Sequence, residues 1–163
     1  MVTDDPAPEG LDQDAFREVY AAHYPALVRL AYLTTGSLAA AEDVAQEAFI
    51  EWLRRGEQVR EPVPFLRRAV VSRCTSWVRR RRLERRHATV SPEPVARHPD
   101  GDTEVVRAAL QKLTPRQRAA VFMRFYLDLP ETQIAAALGC RPGTVKSLLH
   151  RALTAIKEDL DVV

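Results

Sequence analysis

The stretch from His87 to Gly101, HATVSPEPVARHPDG, constrains this chain more than any other feature. It holds three prolines and almost no large apolar side chains, so it has little to contribute to a packed core and reads as a flexible linker. The 163 residues are thereby divided into residues 1–86 and 102–163, each close to the lower limit of about 50 residues for an independent domain. On both sides apolar residues recur at three- and four-residue steps, and no alternating run is long enough to make a strand. The expectation is an all-α chain of two small helical domains. Residues 1–12 form an acidic tail ahead of them, expected to lack order.

In the first helix, Phe16, Val19, Tyr20, Tyr24, Leu27, Leu30 and Ala31 lie on one stripe. Pro25 interrupts it; losing a backbone donor and crowding the preceding turn predicts a kink or a break. Ser37 is placed to cap a second helix, whose Ala41, Val44, Ala45, Ala48, Phe49 and Trp52 pack while Glu42, Asp43, Gln46, Glu47 and Ile50 lie off that face. That helix is expected to stop near Gly56, before a loop fixed by Pro62 and Pro64. A third helix, from about Pro64 to Arg86, is expected to bury Phe65, Leu66, Ala69, Val70, Trp77 and Val78, and to present Arg67, Arg68, Arg73 and Arg79 to Arg82.

Charge is sharply segregated along the chain. Residues 1–51 hold ten Asp and Glu against two Arg, residues 52–90 hold twelve Arg against three Glu, and residues 91–163 are nearly balanced at ten basic to nine acidic. Blocks of this kind face partners more often than they hold a core together. No run approaches the roughly 20 apolar residues that span a bilayer, and the opening MVTDDPAPEG is acidic where a signal peptide is basic and then apolar, so a cytoplasmic location is expected. Cys74 and Cys140 are lone cysteines without metal-ligand spacing and read as packing residues.

Beyond the linker, Val105, Val106, Ala109, Leu110 and Leu113 mark a short helix. Thr114-Pro115-Arg116-Gln117 carries the cap, the early proline and the third-position glutamine of a capping box. The helix it starts is expected to bury Val121, Phe122, Phe125 and Tyr126 and to last until Pro130 begins the next. From Pro130 to Leu153 the pattern reads helix, tight turn, helix: Gly139 supplies the left-handed turn, Ala135 allows close crossing, and Ile134, Leu138, Val145 and Leu148 close the wedge. Leu149, Leu153, Ile156 and Leu160 continue an apolar stripe. Arg141, Thr144, Lys146, Ser147, His150 and Arg151 form the opposite, basic face, suited to a recognition helix in a major groove. A helix pair with a merely solvated polar face is the plainer alternative, but it gives no reason to combine small residue, glycine turn and basic face.

The segment LTPRQRAAVFMRFYLDLPETQIAAALGCRPGTVKSLLHRAL resembles region 4 of the extracytoplasmic-function sigma factors, the smallest members of the sigma-70 family. YPALVRLAYLTTGSLAAAEDVAQEAFIEWLRR and PVPFLRRAVVSRCTSWVRRRR resemble region 2, and the composition is similar to the short actinobacterial sub-group. The resemblance implies region 2 over residues 13–86, the linker over 87–101 and region 4 over 102–163. It implies that Asp43, Gln46 and Glu47 dock on a coiled coil of the largest RNA polymerase subunit. It implies that Arg54, Arg55, Arg60, Arg67, Arg68, Ser72, Arg73, Arg79 and Arg80 meet the −10 promoter element. Region 4 is then expected to read the −35 element and to dock on the flap of the second-largest subunit. Ser72 stands where many relatives have asparagine, and Pro130 where many have Ser or Thr. Free members of the family are usually held by an anti-sigma factor; no residue decides whether this chain is.

The rival readings fit less well. Glu84-x-x-His87 is the lone motif of metal-bundle type and sits in an arginine run; with no phosphate-cradling loop and no nucleophile elbow, neither catalysis nor a cofactor is expected. A helix-turn-helix regulator acting without polymerase is the alternative, but its N-terminal half is typically an α/β sensor, and here that half reads as helical throughout.

Overall fold

The computed structural model describes residues 11–87 and 101–161. The tail before residue 11 and most of the linker therefore lie outside the described residues. Seven α-helices follow one another, and no strand occurs among the described residues: α1 Gln13–Thr35, α2 Leu38–Arg55, α3 Pro62–His87, α4 Gly101–Lys112, α5 Pro115–Val121, α6 Glu131–Leu138 and α7 Pro142–Asp161.

The boundaries follow local chemistry. Asp12 caps α1 by accepting the Asp14 amide at 3.0 Å, and Gly36, left-handed at φ 73°, ends it by donating to the Tyr32 carbonyl. The helix runs unbroken through Pro25, contrary to a break there: burial of Leu27, Leu30 and Ala31 just beyond outweighs one missing amide bond. Ser37 accepts the Ala40 amide at 3.2 Å to start α2, and Gly56 (φ 53°) closes it. α3 begins two residues earlier than expected, at Pro62. Its buried residues are Leu66, Val70, Val71 and Cys74, whereas Phe65, Ala69, Trp77 and Val78 are half-buried, because the helix is flanked on two sides and its last turns reach past the bundle.

The predicted helix from Thr114 to Pro130 is corrected. The capping box forms as expected, with the Thr114 hydroxyl accepting from the Gln117 amide and the Gln117 side chain accepting from the Thr114 amide at 2.9 Å. Regular α-helix nevertheless ends at Val121 and gives way to a single wide π-turn, Phe122–Tyr126. That extra residue per turn rotates Phe125 and Tyr126 out of the core, to 61% and 55% exposure, while Phe122 and Met123 stay inside. Pro130 is the cap of α6, one position ahead of its first turn, and its carbonyl accepts from Gln133 and Ile134. Leu153 and Leu160, expected on a continuous apolar stripe, are exposed at 45% and 46%. The last three turns of α7 keep only part of that face covered.

α1, α2 and α3 make the N-terminal lobe around Leu30, Trp52, Leu66 and Val70, with Phe16, Tyr20, Tyr24, Phe49 and Trp52 in an aromatic cluster whose ring centroids lie 4.6 to 6.2 Å apart. α4 to α7 make the C-terminal lobe around Met123, Ile134 and Val145. The lobes also pack on each other, α6 against α3 and α5 against α1, so their buried residues join in one cluster. Arg118 on α5 donates to the Thr34 carbonyl at 3.3 Å, satisfying a last-turn acceptor of α1 that has no partner in its own helix. Arg29 on α1 donates to the Tyr126 hydroxyl and lies 5.4 Å from that ring's centroid.

Candidate nucleic-acid interface

Two basic surfaces emerge from this packing. The first is on α7. Gly139, left-handed at φ 66°, ends α6 and donates to the Ala135 carbonyl, so the chain reverses in a few residues and α7 starts across α6. Val145, Leu149 and Ala152 fix its underside in the core. The opposite face is therefore forced outward: Arg141, Thr144, Lys146, Ser147, His150 and Arg151 are all exposed. Lys146, Ser147, His150 and Arg151 line one shallow depression of about 300 Å³. Their cations have little else to hold them. Among the described residues only Lys146 approaches a carboxylate, Glu131 on α6, at 4.0 Å.

The second surface is a groove of about 570 Å³ between α2 and α3, lined by Glu47, Glu51, Arg55, Arg68, Ser72, Arg73, Ser76 and Arg80, with Val44, Phe65 and Ala69. Arg68, Ser72, Ser76 and Arg80 follow at four-residue steps and so form one ridge of α3. The groove gathers five of the nine residues expected at the −10 element. Arg54, Arg60 and Arg79 are exposed outside its lining, and Arg67 is half-buried on another side of α3. Burial lowers the Arg67 pKa, and burial and then the nearby Arg67 charge lower that of His23.

Charge across this groove is paired in part. Arg73 donates to Glu51 at 2.6 Å and to Glu47 at 3.3 Å, and Arg55 donates to Glu51 at 2.8 Å. Arg73 and Glu47, expected to serve DNA and polymerase separately, thus hold each other. Glu51, which sequence reasoning passed over, is the hub, and its four-residue spacing to Arg55 was the available signal. Asp43, Gln46 and Glu47 remain exposed on α2. Among the described residues no group of three or more His, Cys, Asp or Glu is placed to hold a metal ion.

The sigma-70 region 2 family matches residues 19–84, and the sigma-70 region 4 family matches residues 103–156. The RNA polymerase sigma-E factor of Streptomyces coelicolor is 32% identical over 151 residues, covering 89% of this chain and 85% of the relative. The chain belongs to the sigma-70 family. It is an RNA polymerase sigma factor of extracytoplasmic-function type: the ECF sigma factor SigL of Mycobacterium tuberculosis is 30% identical over 152 residues, 86% of each chain. Among solved structures, this sigma factor superposes on RpoE of Bartonella quintana, crystallised with the anti-sigma factor NepR, at a TM-score of 0.79 and 25% identity, over 91% of this chain and 98% of that one. CnrH in complex with the cytosolic domain of CnrY shares the fold at a TM-score of 0.69 and 21% identity. The helix-turn-helix of region 4 is therefore α6–Gly139–α7, and both lobes of an all-α, two-region fold are present.

Proposed function

We propose that this sigma factor reads promoters with its two basic surfaces while its acidic helix grips the polymerase. The carrying observation is the full exposure of the α7 face from Arg141 to Arg151 beside a buried underside, which is the form of a helix presented to a groove. In this reading residues 102–163 bind the −35 element through Arg141, Thr144, Lys146, Ser147, His150 and Arg151. Arg and Lys donate to guanine edges and to phosphates. Residues 13–86 bind and open the −10 element along the α3 ridge, with Arg54, Arg55, Arg60, Arg67, Arg68, Ser72, Arg73, Arg79 and Arg80 as the cations and hydroxyl that meet the separated strand. Residues 87–101 tether the two, with His87 and Gly101 at the ends of that span belonging to α3 and α4, and residues 1–12 precede them as a tail that ends on Asp12, the cap of α1.

The partners are core polymerase and promoter DNA. Asp43, Gln46 and Glu47 meet a coiled coil of the largest subunit, and region 4 meets the flap of the second-largest. The anti-sigma complex of the Bartonella relative supports an anti-sigma factor as a further partner. Promoter opening draws on binding energy, so the factor needs no catalytic step and no cofactor of its own. It works in the cytoplasm, where the polymerase is; among the described residues no helix is long and apolar enough to cross a membrane.

Reconstitution with core polymerase and a pool of randomised promoters tests this. Enrichment of a two-element promoter, dependent on the factor, is the expected outcome. Site-specific binding by the isolated factor, with no transcript gained on adding core, contradicts it.

A further inference from the structure

A second cleft, which shares no lining residue with the two basic surfaces described above, lies where α3 faces the end of α4 and the start of α5. It has a volume of about 400 Å³, and Arg81, Arg82, Arg85, Lys112 and Arg118 line it together with Thr34, Thr35, Trp77 and Thr114. No carboxylate lines it among the described residues. Five cations drawn from both lobes therefore converge on one concavity, which raises the local potential and concentrates anions. Two of them lean on carboxylates outside the lining: Lys112 on Asp159 at 2.6 Å and Arg81 on Glu84 at 3.9 Å.

Arg118 makes no ion pair among the described residues. Its two terminal nitrogens donate only to the neutral Leu113 and Thr34 carbonyls, and its buried Nε has no hydrogen-bond partner. Burial lowers its pKa. A buried donor left unsatisfied is costly, and so is like charge gathered without counter-charge.

We propose that this interlobe cleft binds a compact polyphosphate, either inorganic or the phosphate arm of a nucleotide. Planar guanidinium groups match phosphate oxygens in paired geometry, and a cleft of this size takes several phosphates but not a duplex. Because α3 lies in one lobe and α4 and α5 in the other, the bound anion clamps the two lobes in the packed arrangement.

The full chain supplies its own reporter. Trp77 lines the cleft, while Trp52, the other tryptophan, is buried in the N-terminal core. Inorganic triphosphate is titrated in buffer of about 100 mM ionic strength, where the Debye length is ~10 Å. The expected result is a saturable change in Trp77 emission, matched by calorimetry at one site per chain, with orthophosphate weaker by roughly tenfold or more. The exposed pair Arg82→Gln and Arg85→Gln weakens triphosphate by about tenfold with the helical circular-dichroism signal kept, and Lys146→Gln with Arg151→Gln leaves it unchanged. ATP binding more tightly than triphosphate identifies a nucleotide, and equal affinity identifies inorganic polyphosphate; both support the site. Absence of saturation, indifference to the Arg82 and Arg85 changes, or an equal loss in the α7 variant overturns it. Neither polymerase nor promoter is in the assay, so its failure leaves the promoter-reading assignment standing.

Discussion

α3 and α7 are both basic helices in the same sigma factor, yet they hold their charge differently. On α7 the cations stand over solvent with one distant carboxylate among them. On α3, Arg73 is tied to Glu47 and Glu51 of the neighbouring helix, and Glu51 also holds Arg55. Uncommitted cations are free to follow a phosphate backbone. A paired one must exchange a protein carboxylate for DNA, so in the proposed reading Arg73 would couple DNA contact on α3 to the acidic helix that we assign to the polymerase. In the proposed reading, promoter recognition by region 4 would thus belong to one helix face, while that of region 2 would depend on the pairing of two helices.

The largest expected effect separates the two directly. Lys146→Ala and Arg151→Ala each weaken −35-dependent promoter binding by about 1–3 kcal/mol where the side chain reaches a base edge, and flatten the salt dependence by about one unit of slope per lost phosphate contact. Their folding stability stays within about 0.5 kcal/mol of the parent. Competition binding at two salt concentrations and a urea titration measure both, and a stability loss in the α7 variants breaks the contrast.

Arg73→Ala sharpens it from the other side. It leaves Glu47 without its cation and Glu51 with Arg55 alone, removing a pair about a third exposed or less on its closer arm, and is expected to cost about 1 kcal/mol of folding stability by urea denaturation. Stability equal to the parent would show the pairing to be incidental. Glu51→Gln is smaller, about 0.5 kcal/mol, because Glu47 still holds Arg73. This variant also frees Arg55 and leaves Arg73 with Glu47 alone, so it is expected to strengthen promoter binding at low salt, and a weaker complex would contradict the exchange of carboxylate for DNA.

The smallest effect concerns pH. Burial pushes the Cys74 thiol of α3 up from 9.0 to about 12. The unfolded thiol ionises first as pH rises, so the stability due to this group is complete below about 9 and is lost between about 9 and about 12. Cys74→Ala is expected to flatten that alkaline decline, seen as a smaller drop in melting temperature; an identical decline assigns it to other groups.

What the sequence made legible was what is decided within one turn. Ser37, Thr114 with Gln117, and Gly139 end or start helices through side chains and backbone angles that a few neighbouring residues dictate. The exposed α7 face was legible for the same reason, since Val145, Leu149 and Ala152 at helical spacing leave the basic residues nowhere else to point. Long-range choices were hidden. The π-turn that expels Phe125 and Tyr126 has no local signature, and the grip of Arg73 on Glu51 depends on how two helices cross. The seam built by Arg118 and Arg29 joins residues 84 and 97 positions apart. Periodicity predicts that a helix has a buried face; it does not say which neighbour supplies the cover, and so the packing of the two lobes on each other was not legible.

The central claim is that two separate basic faces of one sigma factor engage two stretches of promoter when polymerase is present. Footprinting the reconstituted holoenzyme with a cleavage reagent and with permanganate on the same DNA tests it most directly. The account predicts protection at the −35 element that Lys146→Ala and Arg151→Ala remove, and reactive unpaired thymines at the −10 element that persist in those variants once the complex is driven to saturation. A footprint of the same extent from the factor alone, with no thymine becoming reactive when core polymerase is added, would contradict it.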